Sequence, residues 1–424
     1  MSRPIVHSAA ERVACPDCGL VQLLPAIRRG DIAECRQCGR VLTGAATGRV
    51  DVPLGLSVAA LLLLIPASGW QLMDMVSFGN HRASWISSGV ETLWASGFPS
   101  LALLVALFSI VLPLVFLVLV IAVLGGLHFG LNNERTGRSR AAWGRASQLG
   151  GMYRWAMYLR PWMMLEVYLV GCIVAYSRLR AIAPVDVGIG GWSLIAGTFA
   201  LMFALTQLDD RTVWEALPHR PNDVPDGKKS LACTVCDLIS DQALRGKACS
   251  RCGSTLRVRK PNALQLTTAL VLAGYLLYIP ANLLPVLTIV RFGRVEHNTI
   301  MSGVFELVDE NLWPLALIVF VASIVLPLLK LCSLTWMVLA TRQGSPRFLV
   351  GRTRLYRMID AVGRWSNIDV FMTSILVAVL QFGAVTAVRA GSGLVAFAAV
   401  VVITMMATLV FDSRLMWDAP RGRA

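Results

Sequence analysis

Long apolar stretches separated by short polar segments make up most of the chain after its first fifty residues. A helix needs about 20 apolar residues to cross the hydrocarbon core of a bilayer, so these stretches predict transmembrane helices. We predict eight spans, at about 54–73, 100–124, 161–177, 191–208, 264–284, 313–339, 367–387 and 392–411. Residues 1–50 are polar, so no cleavable signal peptide is expected before the first span.

The composition agrees with this pattern. Of the 424 residues, 56% are hydrophobic and only 15% are charged. A soluble domain carries about 25% charged residues, so the composition is typical of a polytopic α-helical membrane protein.

The positive charge is distributed unevenly between the predicted loops. Loops 130–160 and 340–366 each hold six arginines, whereas loop 74–98 holds one and loop 285–312 holds two. This asymmetry follows the positive-inside rule and predicts that both termini and both cysteine clusters face the cytoplasm. It also explains the net charge of +14 without a nucleic-acid partner, because basic loops lie beside anionic headgroups.

Two clusters of four cysteines lie on the predicted cytoplasmic side. Two C-x2-C turns can direct four thiolates at one tetrahedral ion, and disulfides are disfavoured in a reducing compartment. We therefore predict one structural zinc ion in each cluster, although a tetrahedral all-thiolate site also suits iron. Glycine follows three of the four second cysteines, and Asp237 follows the fourth. The predicted metal ligands are Cys15, Cys18, Cys35 and Cys38, and Cys233, Cys236, Cys249 and Cys252.

The chain contains an internal repeat that extends into the apolar stretches. Ser109–Leu114 recurs without change 214 residues later as Ser323–Leu328. Trp162–Tyr168 resembles Trp365–Phe371 at an offset of 203, so the loop between the two matches is shorter in the second copy. Pro113 and Pro327 are expected to kink their spans, either for packing or as a hinge.

These features predict two tandem repeats, each a four-cysteine zinc ribbon followed by four transmembrane helices. An even number of spans returns the chain to the same side, so the repeats are parallel. The predicted divisions are ribbon 1 (residues 1–50), module 1 (residues 51–208), a linker with ribbon 2 (residues 209–263) and module 2 (residues 264–424).

A lysine near the middle of a predicted span is the least expected residue for a membrane segment. Lys330 lies about 15 Å from the cytoplasmic end of its span, and a charge there costs roughly 2.5–3.5 kcal/mol on insertion scales. Its counterpart in module 1 is Phe116, so only module 2 carries the charge. Lys330 is expected either to lock helices through an ion pair or to bind a lipid headgroup or a proton.

Four further polar residues lie within or at the ends of spans. Glu166 and Asp369 occupy equivalent positions near helix N-termini, where the helix dipole alone favours a carboxylate. Asp369 is also able to pair with Lys330 if its helix packs against that of the lysine. Ser323 and Thr404 are candidates for the same polar membrane site, although a threonine also bonds back to its own helix.

Together these motifs resemble the paraquat-inducible protein A family, in particular its LetA-type members. The resemblance rests on the two cysteine clusters, the eight spans, the S-I-V-L-P-L repeat and the sequence R-W-S-N-I-D-V-F at 364–371. It implies an inner-membrane protein that moves phospholipid to or from a periplasmic MCE-domain tunnel protein. The family's polar membrane site matches Ser323, Lys330 and Thr404, whereas Arg178 and Ala181 depart from the family's lysine and acid.

No motif indicates an enzyme. The segment Gly227–Ser230 lacks the upstream glycine of a phosphate-binding loop, and none of the five histidines lies at the centre of a span. Two alternatives to lipid transport stay open, namely a membrane redox protein with rubredoxin-like iron and a scaffold that only anchors the tunnel protein.

Overall fold

The computed structural model describes residues 11–24, 32–44, 50–77, 80–132, 140–180, 184–217, 230–291, 294–309, 311–379 and 386–418. Within these ranges, seven helices are long and apolar enough to cross a membrane.

Ribbon 1 consists of two antiparallel hairpins, each closed by a C-x2-C turn. The strands are β1 (Glu11–Ala14), β2 (Val21–Leu24), β3 (Ile32–Glu34) and β4 (Val41–Gly44), with β1 paired to β2 and β3 to β4. Strands this short do not hold a fold by themselves, which is why the turns and their thiols matter.

Module 1 begins with α1 (Asp51–Gly69) and reaches a three-stranded sheet at the far end of that helix. The order of elements is β5 (Met73–Ser77), β6 (Asn80–Ser84), α2 (Ser88–Ala95), α3 (Pro99–Ala106), α4 (Leu112–Asn132), α5 (Arg140–Leu159), α6 (Leu165–Arg180), β7 (Val185–Val187) and α7 (Ile189–Gln207). The sheet order is β6-β5-β7.

The linker contains α8 (Asp210–Ala216) and leads to ribbon 2. Ribbon 2 pairs β8 (Ser230–Ala232) with β9 (Ile239–Asp241), and a bridge joins Ala248 to Thr255 around its second C-x2-C turn.

Module 2 repeats module 1 element by element. Its order is α9 (Ala263–Leu283), β10 (Leu287–Arg291), β11 (Arg294–Asn298), α10 (Ile300–Asp309), α11 (Trp313–Phe320), α12 (Leu326–Arg342), α13 (Leu349–Val362), α14 (Ile368–Val379), β12 (Thr386–Ala390) and α15 (Ser392–Val410), followed by α16 (Arg414–Asp418). The sheet order is β11-β10-β12.

The two copies of the S-I-V-L-P-L motif share one local conformation. A π-helical turn covers Leu107–Val111 between α3 and α4, and a second covers Val321–Val325 between α11 and α12. Proline has no backbone N–H to donate, and a π turn is a common way for a helix to accommodate the irregularity. The predicted irregularity therefore occurs in both spans, immediately before the proline.

The third predicted span belongs to an interrupted helix, and the seventh is not among the seven membrane-length helices of the described residues. In module 1, α5 ends in a 3-10 turn at Arg160–Trp162 and α6 follows, so the candidate span is Gln148–Ser177. The prediction of 161–177 began too late because Pro161 breaks the helix inside the crossing rather than before it. In module 2, a 3-10 turn at Gly363–Asn367 precedes α14, which has only 12 residues.

The end of the predicted span 367–387 is also different from the expectation. Residues 380–385 lie outside the described ranges, and strand β12 begins at Thr386. Since β12 pairs with β10, the chain has already reached the end of the molecule that carries the sheets.

Helices α6 and α14 form the contact between the two modules. The rings of Tyr168 and Phe371 meet edge to face at 5.6 Å, and a Cβ on Gly171 would lie 3.1 Å from the Cβ of Phe371. The glycine therefore lets the two equivalent helices approach closely.

The modules are not symmetric at the sheet end. Helix α2 packs across the interface on α14, where a Cβ on Gly89 would lie 3.1 Å from the carbonyl oxygen of Ser374. The equivalent Gly303 on α10 faces open space. In the described residues the main contacts of α10 are with α11 and β11, so module 2 is more open than module 1 at this end.

The ribbons dock crosswise. Ribbon 1 packs in one apolar cluster with residues of module 2, among them Met337, Ile359 and Trp417. Ribbon 2 instead belongs to the large apolar cluster that contains the core of module 1, and it lies against α5. Each ribbon therefore precedes one module in sequence and contacts the other module in space.

Candidate metal centres and membrane polar site

The four thiols of ribbon 1 converge on one point. The Sγ atoms of Cys15 and Cys38, and those of Cys18 and Cys35, are 3.5 Å apart, and all four are buried within 4.8 Å of one another. A tetrahedral ion with Zn–S bonds of about 2.3 Å requires S···S distances of about 3.8 Å. The geometry of this donor set therefore fits a metal ion.

Ribbon 2 has the same arrangement. Its paired Sγ atoms, Cys233 with Cys252 and Cys236 with Cys249, are 3.6 Å apart. The hydroxyl of Ser254 lies 3.1 Å from Cys233 Sγ and 3.0 Å from Cys252 Sγ. A hydroxyl in this position can donate to the thiolates that a metal would hold.

The residue after each second cysteine adopts a left-handed conformation. The φ angles are +74° at Gly19, +64° at Gly39 and +71° at Gly253, which glycine adopts without strain. Asp237 takes the same conformation at +53°, so this knuckle keeps its geometry with a less favourable residue. Burial raises the pKa of Asp237 to about 6, and the nearby Arg414 acts in the opposite direction.

An arginine from α13 binds ribbon 1 beside its thiols. Arg357 Nε donates to Asp17 Oδ2 at 2.5 Å, and its Nη2 lies 3.1 Å from the carbonyl oxygen and 3.4 Å from the Sγ of Cys38. Asp17 is buried between the first two cysteines and also accepts from Arg40 at 2.7 Å. The positive-inside rule identified Arg357 only as one of six loop arginines, so its role against the thiols was missed.

The C-terminal segment completes the binding of ribbon 1. Ser413 donates to the carbonyl oxygen of Asp17, and Arg414 donates to that of Pro16, both at 3.0 Å. Arg259, just after ribbon 2, makes a two-point ion pair with Asp418. The segment therefore joins the chain after ribbon 2 to ribbon 1.

Ribbon 2 lies directly on α5. A Cβ on Gly150 would lie 2.2 Å from the carbonyl oxygen of Arg251, so only glycine allows this approach. The guanidinium of Arg154, one turn further along α5, lies over Gly253.

Lys330 is buried inside module 2, with 2% of its surface exposed. Its Nζ donates to the carbonyl oxygen of Gly363 at 2.5 Å, in the 3-10 turn between α13 and α14. A Cβ on Gly363 would lie 2.6 Å from Lys330 Cε, so the lysine occupies the space that a side chain would fill. The lysine lies about 18 Å along α12 from the end of that helix at Arg342, and its mid-membrane position stays a prediction from the sequence.

The predicted partners of Lys330 behave differently from one another. Ser323 Oγ is buried without a hydrogen-bond partner among the described residues, whereas its repeat mate Ser109 donates to Val105 O at 2.6 Å. Thr404 donates a hydrogen bond to Val401 O of its own helix at 3.0 Å. This bond is the alternative to a role in the polar site that the sequence left open. The side chain of Asp369 lies outside the described part of the chain.

Glu166 occupies the first turn of α6, where the helix dipole favours an acid. It belongs to module 1, and the equivalent turn of α14 carries Asp369. Of the two positions that depart from the family pattern, the side chain of Arg178 and all of Ala181 lie outside the described residues.

Three buried polar residues were missed by the sequence reasoning. Among the described residues, Ser366 Oγ, Asn367 Oδ1 and Thr373 Oγ1 have no hydrogen-bond partner. They lie on the 3-10 turn and α14, which contact the π turn that carries Ser323. The 3-10 turn also contacts α12, the helix of Lys330.

The repeat itself contained the signal that could have found these residues. At an offset of 203, the counterparts of Ser366, Asn367, Thr373 and Thr404 are all apolar, namely Met163, Met164, Val170 and Leu201. Lys330 likewise stands where module 1 has Phe116. Module 2 is therefore polar at all of these positions, and module 1 is apolar at all of them. Asn367 even contacts its own repeat mate, with Nδ2 2.6 Å from Met164 Sδ.

The fold and the donor sets define a class, namely a multi-pass α-helical membrane protein of two homologous modules with two four-cysteine clusters that could each hold a metal ion. The chain belongs to the paraquat-inducible protein A family, whose family model matches residues 50–218 and 264–420. These two matches correspond to modules 1 and 2, so the internal repeat is confirmed.

Two relatives from Escherichia coli strain K12 cover nearly the whole chain. The intermembrane transport protein PqiA is 28% identical over 430 residues, which cover 97% of this chain and 97% of the relative. The lipophilic envelope-spanning tunnel protein A is 29% identical over 406 residues, which cover 96% of this chain and 91% of the relative. No solved structure matches the chain.

Proposed function

We propose that the protein is the inner-membrane component of an envelope lipid-transport system and passes phospholipid to or from a periplasmic MCE-domain tunnel protein. The names of its relatives describe intermembrane transport and an envelope-spanning tunnel, and they support a transport component rather than an enzyme. The seven long apolar helices agree with residence in the membrane.

The observation that carries the proposal is the polar cluster of module 2. Each buried polar group without a partner costs about 1–3 kcal/mol, and a charge inside the bilayer costs roughly 2.5–3.5 kcal/mol. Module 1 builds the same framework from apolar residues, so the fold does not require these groups. Polar residues with such a cost are retained inside a membrane protein where a ligand satisfies their polar groups.

A phospholipid headgroup matches the chemistry of this cluster. Lys330 Nζ and the hydroxyls of Ser323, Ser366 and Thr373 are donors that suit phosphate oxygens. Asn367 Oδ1 is an acceptor that suits an ammonium or hydroxyl of the headgroup. The acyl chains would remain among the apolar helices of the same module.

The sheet end of module 2 is the proposed route to the cluster and the docking surface for the tunnel protein. Loops 74–98 and 285–312 form this end, which carries the β5–β6 and β10–β11 hairpins. Helix α10 faces open space at Gly303 and exposes Met301 and Phe305. Exposed apolar groups beside an opening favour lipid passage on this side.

Replacing Lys330 by alanine tests the proposal, with Phe116→Ala as the matched control at the equivalent place. Loss of a charged donor to the headgroup is expected to lower lipid delivery to the tunnel protein about tenfold to a hundredfold. Folding should be largely kept, because removal of a costly buried charge is often neutral for stability. Phe116→Ala should lower stability and spare transport.

Lipid delivery from proteoliposomes and the amount of folded protein are measured for both variants. Full activity of Lys330→Ala would refute the proposed site and favour a scaffold that anchors the tunnel protein without handling lipid.

We propose zinc for both ribbons, with rubredoxin-like iron as the competing occupant. The S···S distances of 3.5–3.6 Å fit either ion. A redox protein would show the visible absorption of thiolate-bound iron, which zinc lacks. A colourless protein with full lipid delivery would exclude the redox function.

A further inference from the structure

Helix α13 connects the metal ribbon to the lysine site. Near its middle, Arg357 binds ribbon 1, and at its end the chain enters the 3-10 turn of Gly363. Arg357 and Gly363 are six residues apart, or about 9 Å along a helix. One rigid element therefore contacts the thiols of ribbon 1 and supplies the carbonyl oxygen that binds Lys330.

The contact between Arg357 and ribbon 1 depends on the fold of the ribbon. Its strands have only three or four residues, so an ion shared by the four thiols would hold the two C-x2-C turns together. Arg357 donates to Asp17 on the first turn and towards Cys38 on the second. Without metal the two turns are no longer joined, and Arg357 loses partners at a fixed position.

The other end of α13 tolerates little movement. Lys330 Nζ is 2.5 Å from Gly363 O, and the packing of Lys330 Cε leaves no room for a side chain at Gly363. Asp360, on the last turn of the same helix, interacts electrostatically with Lys330. A displacement of about 1 Å would break a hydrogen bond of this kind.

Ribbon 2 has no comparable target. It docks on α5, whose 3-10 turn holds Arg160 in an ion pair with Asp210. The position equivalent to Lys330 is the buried Phe116. Among the described residues, ribbon 1 is therefore connected through α13 to a buried lysine, whereas the equivalent position of module 1 holds an apolar ring.

We propose that metal-loaded ribbon 1 is a positioning device for the Lys330 site. Arg357 holds α13 so that the Gly363 carbonyl stays against the lysine, and loss of the metal releases this turn without unfolding module 2. The effect on lipid delivery rests on the proposed function, whereas the effect on the 3-10 turn does not.

Hydrogen–deuterium exchange of the purified full chain measures the turn directly. Arg357→Gln removes the contact with Asp17 and Cys38, and Arg354→Gln is the matched control because Arg354 is exposed on the same helix. Arg357→Gln is expected to speed exchange at residues 363–367 about tenfold, as loss of one charge-assisted hydrogen bond implies. Arg354→Gln should leave it unchanged.

A second pair of variants removes the metal from one ribbon at a time. Cys35→Ser/Cys38→Ser should speed exchange at residues 363–367, and Cys249→Ser/Cys252→Ser, the matched control in ribbon 2, should leave these residues unchanged. Metal analysis of every variant verifies which ribbon is empty. The ribbon 1 pair also decides the matter if Arg357→Gln itself loses metal.

Unchanged exchange at residues 363–367 in both Arg357→Gln and the ribbon 1 pair would overturn the proposal. If these residues respond but Lys330→Ala transports lipid normally, the positioning holds and the proposed lipid site fails. If Lys330→Ala is inactive and the turn does not respond, the lipid site stands without control by ribbon 1.

Discussion

In module 2, Lys330 and Gly363 lie against each other. The equivalent residues of module 1 are Phe116, in place of the lysine, and Arg160, in place of the glycine. The lysine fills the space beside a residue without a side chain and binds its carbonyl oxygen. In module 1 an apolar ring occupies the lysine position, and the arginine at the glycine position turns to Asp210. The modules therefore differ at two positions, and this part of the core is apolar in module 1 and polar in module 2.

Gly363→Ala is expected to displace Lys330, because the new Cβ would lie 2.6 Å from its Cε. The backbone at Gly363 has a helical φ of −59°, so the effect comes from crowding rather than from backbone strain. We expect a loss of about 1–3 kcal/mol in unfolding free energy together with lower lipid delivery. Thermal unfolding in detergent and a delivery assay measure both quantities.

The matched control for this variant is Gly303→Ala, on a helix where the added methyl group meets open space. It should leave unfolding and delivery close to those of the wild type. Equal behaviour of the two alanine variants would contradict the close packing at Gly363.

Ser323→Ala removes a hydroxyl that has no hydrogen-bond partner among the described residues. Its removal should be neutral or stabilising by up to about 1 kcal/mol, because an unsatisfied polar group is lost. Lipid delivery should nevertheless fall, because the headgroup loses a donor. Unfolding free energy and delivery are measured on the same preparation.

Ser109→Ala serves as the comparison in module 1, since that hydroxyl is satisfied by Val105 O. It should cost about 0.5–1.5 kcal/mol and leave delivery unchanged. Reduced delivery in Ser109→Ala alone would argue against a lipid site in module 2.

At the scale of elements, the ribbons and the interrupted helices are built differently. The ribbons have strands of three or four residues, and their order depends on the four thiols. The interrupted helices are held by packing, since α14 lies against α6 and α2. Loss of metal should therefore affect the ribbons far more than the membrane helices.

We expect two zinc ions per chain, one in each ribbon, and Cys15→Ala or Cys233→Ala should each remove one. Thiolate ligation couples metal binding to folding, so each variant should unfold its ribbon and lower protein abundance. Elemental analysis of the purified protein gives the metal content and limited proteolysis reports ribbon folding. Fewer than two zinc ions in the wild type, or iron in their place, would refute this assignment.

For the whole molecule, the ribbons contact α5 and α13, whereas the two three-stranded sheets follow the other ends of α1 and α9. The prediction of four crossings in each module would place the ribbons on one side of the membrane and the sheets on the other. Exposed tryptophans, among them Trp70, Trp94, Trp192 and Trp313, flank the sheet end, as is typical of a membrane–water interface.

Surface labelling tests the predicted orientation, in which the sheet end is periplasmic. In a Cys332→Ser background, Val295→Cys on β11 should react with an impermeant thiol reagent in intact cells, and Phe348→Cys before α13 should not. Both positions are exposed, at 52% and 76%, so protection reports the compartment rather than burial. The opposite pattern would place the ribbons outside and remove the argument for reduced, metal-bound thiols.

Much of the architecture was determined by the sequence itself, because its causes are local. Apolar stretches of about 20 residues specify spans, C-x2-C turns specify metal knuckles, and the repeat with its family resemblance specifies two modules. The irregular helices before Pro113 and Pro327 also followed from the sequence, and the burial of Lys330 agrees with its predicted place inside a helix of module 2. Each of these features depends on neighbours in the chain or on the membrane as a solvent.

Only the tertiary structure decided which distant groups meet. The crossed docking of the ribbons and the bond from Lys330 to Gly363 depend on contacts between residues up to 398 positions apart. The packing of α6 against α14 between the modules is a contact of the same kind. Hydrophobic periodicity contains no record of such pairings, because a side chain's polarity determines whether it is buried but not which partner buries it.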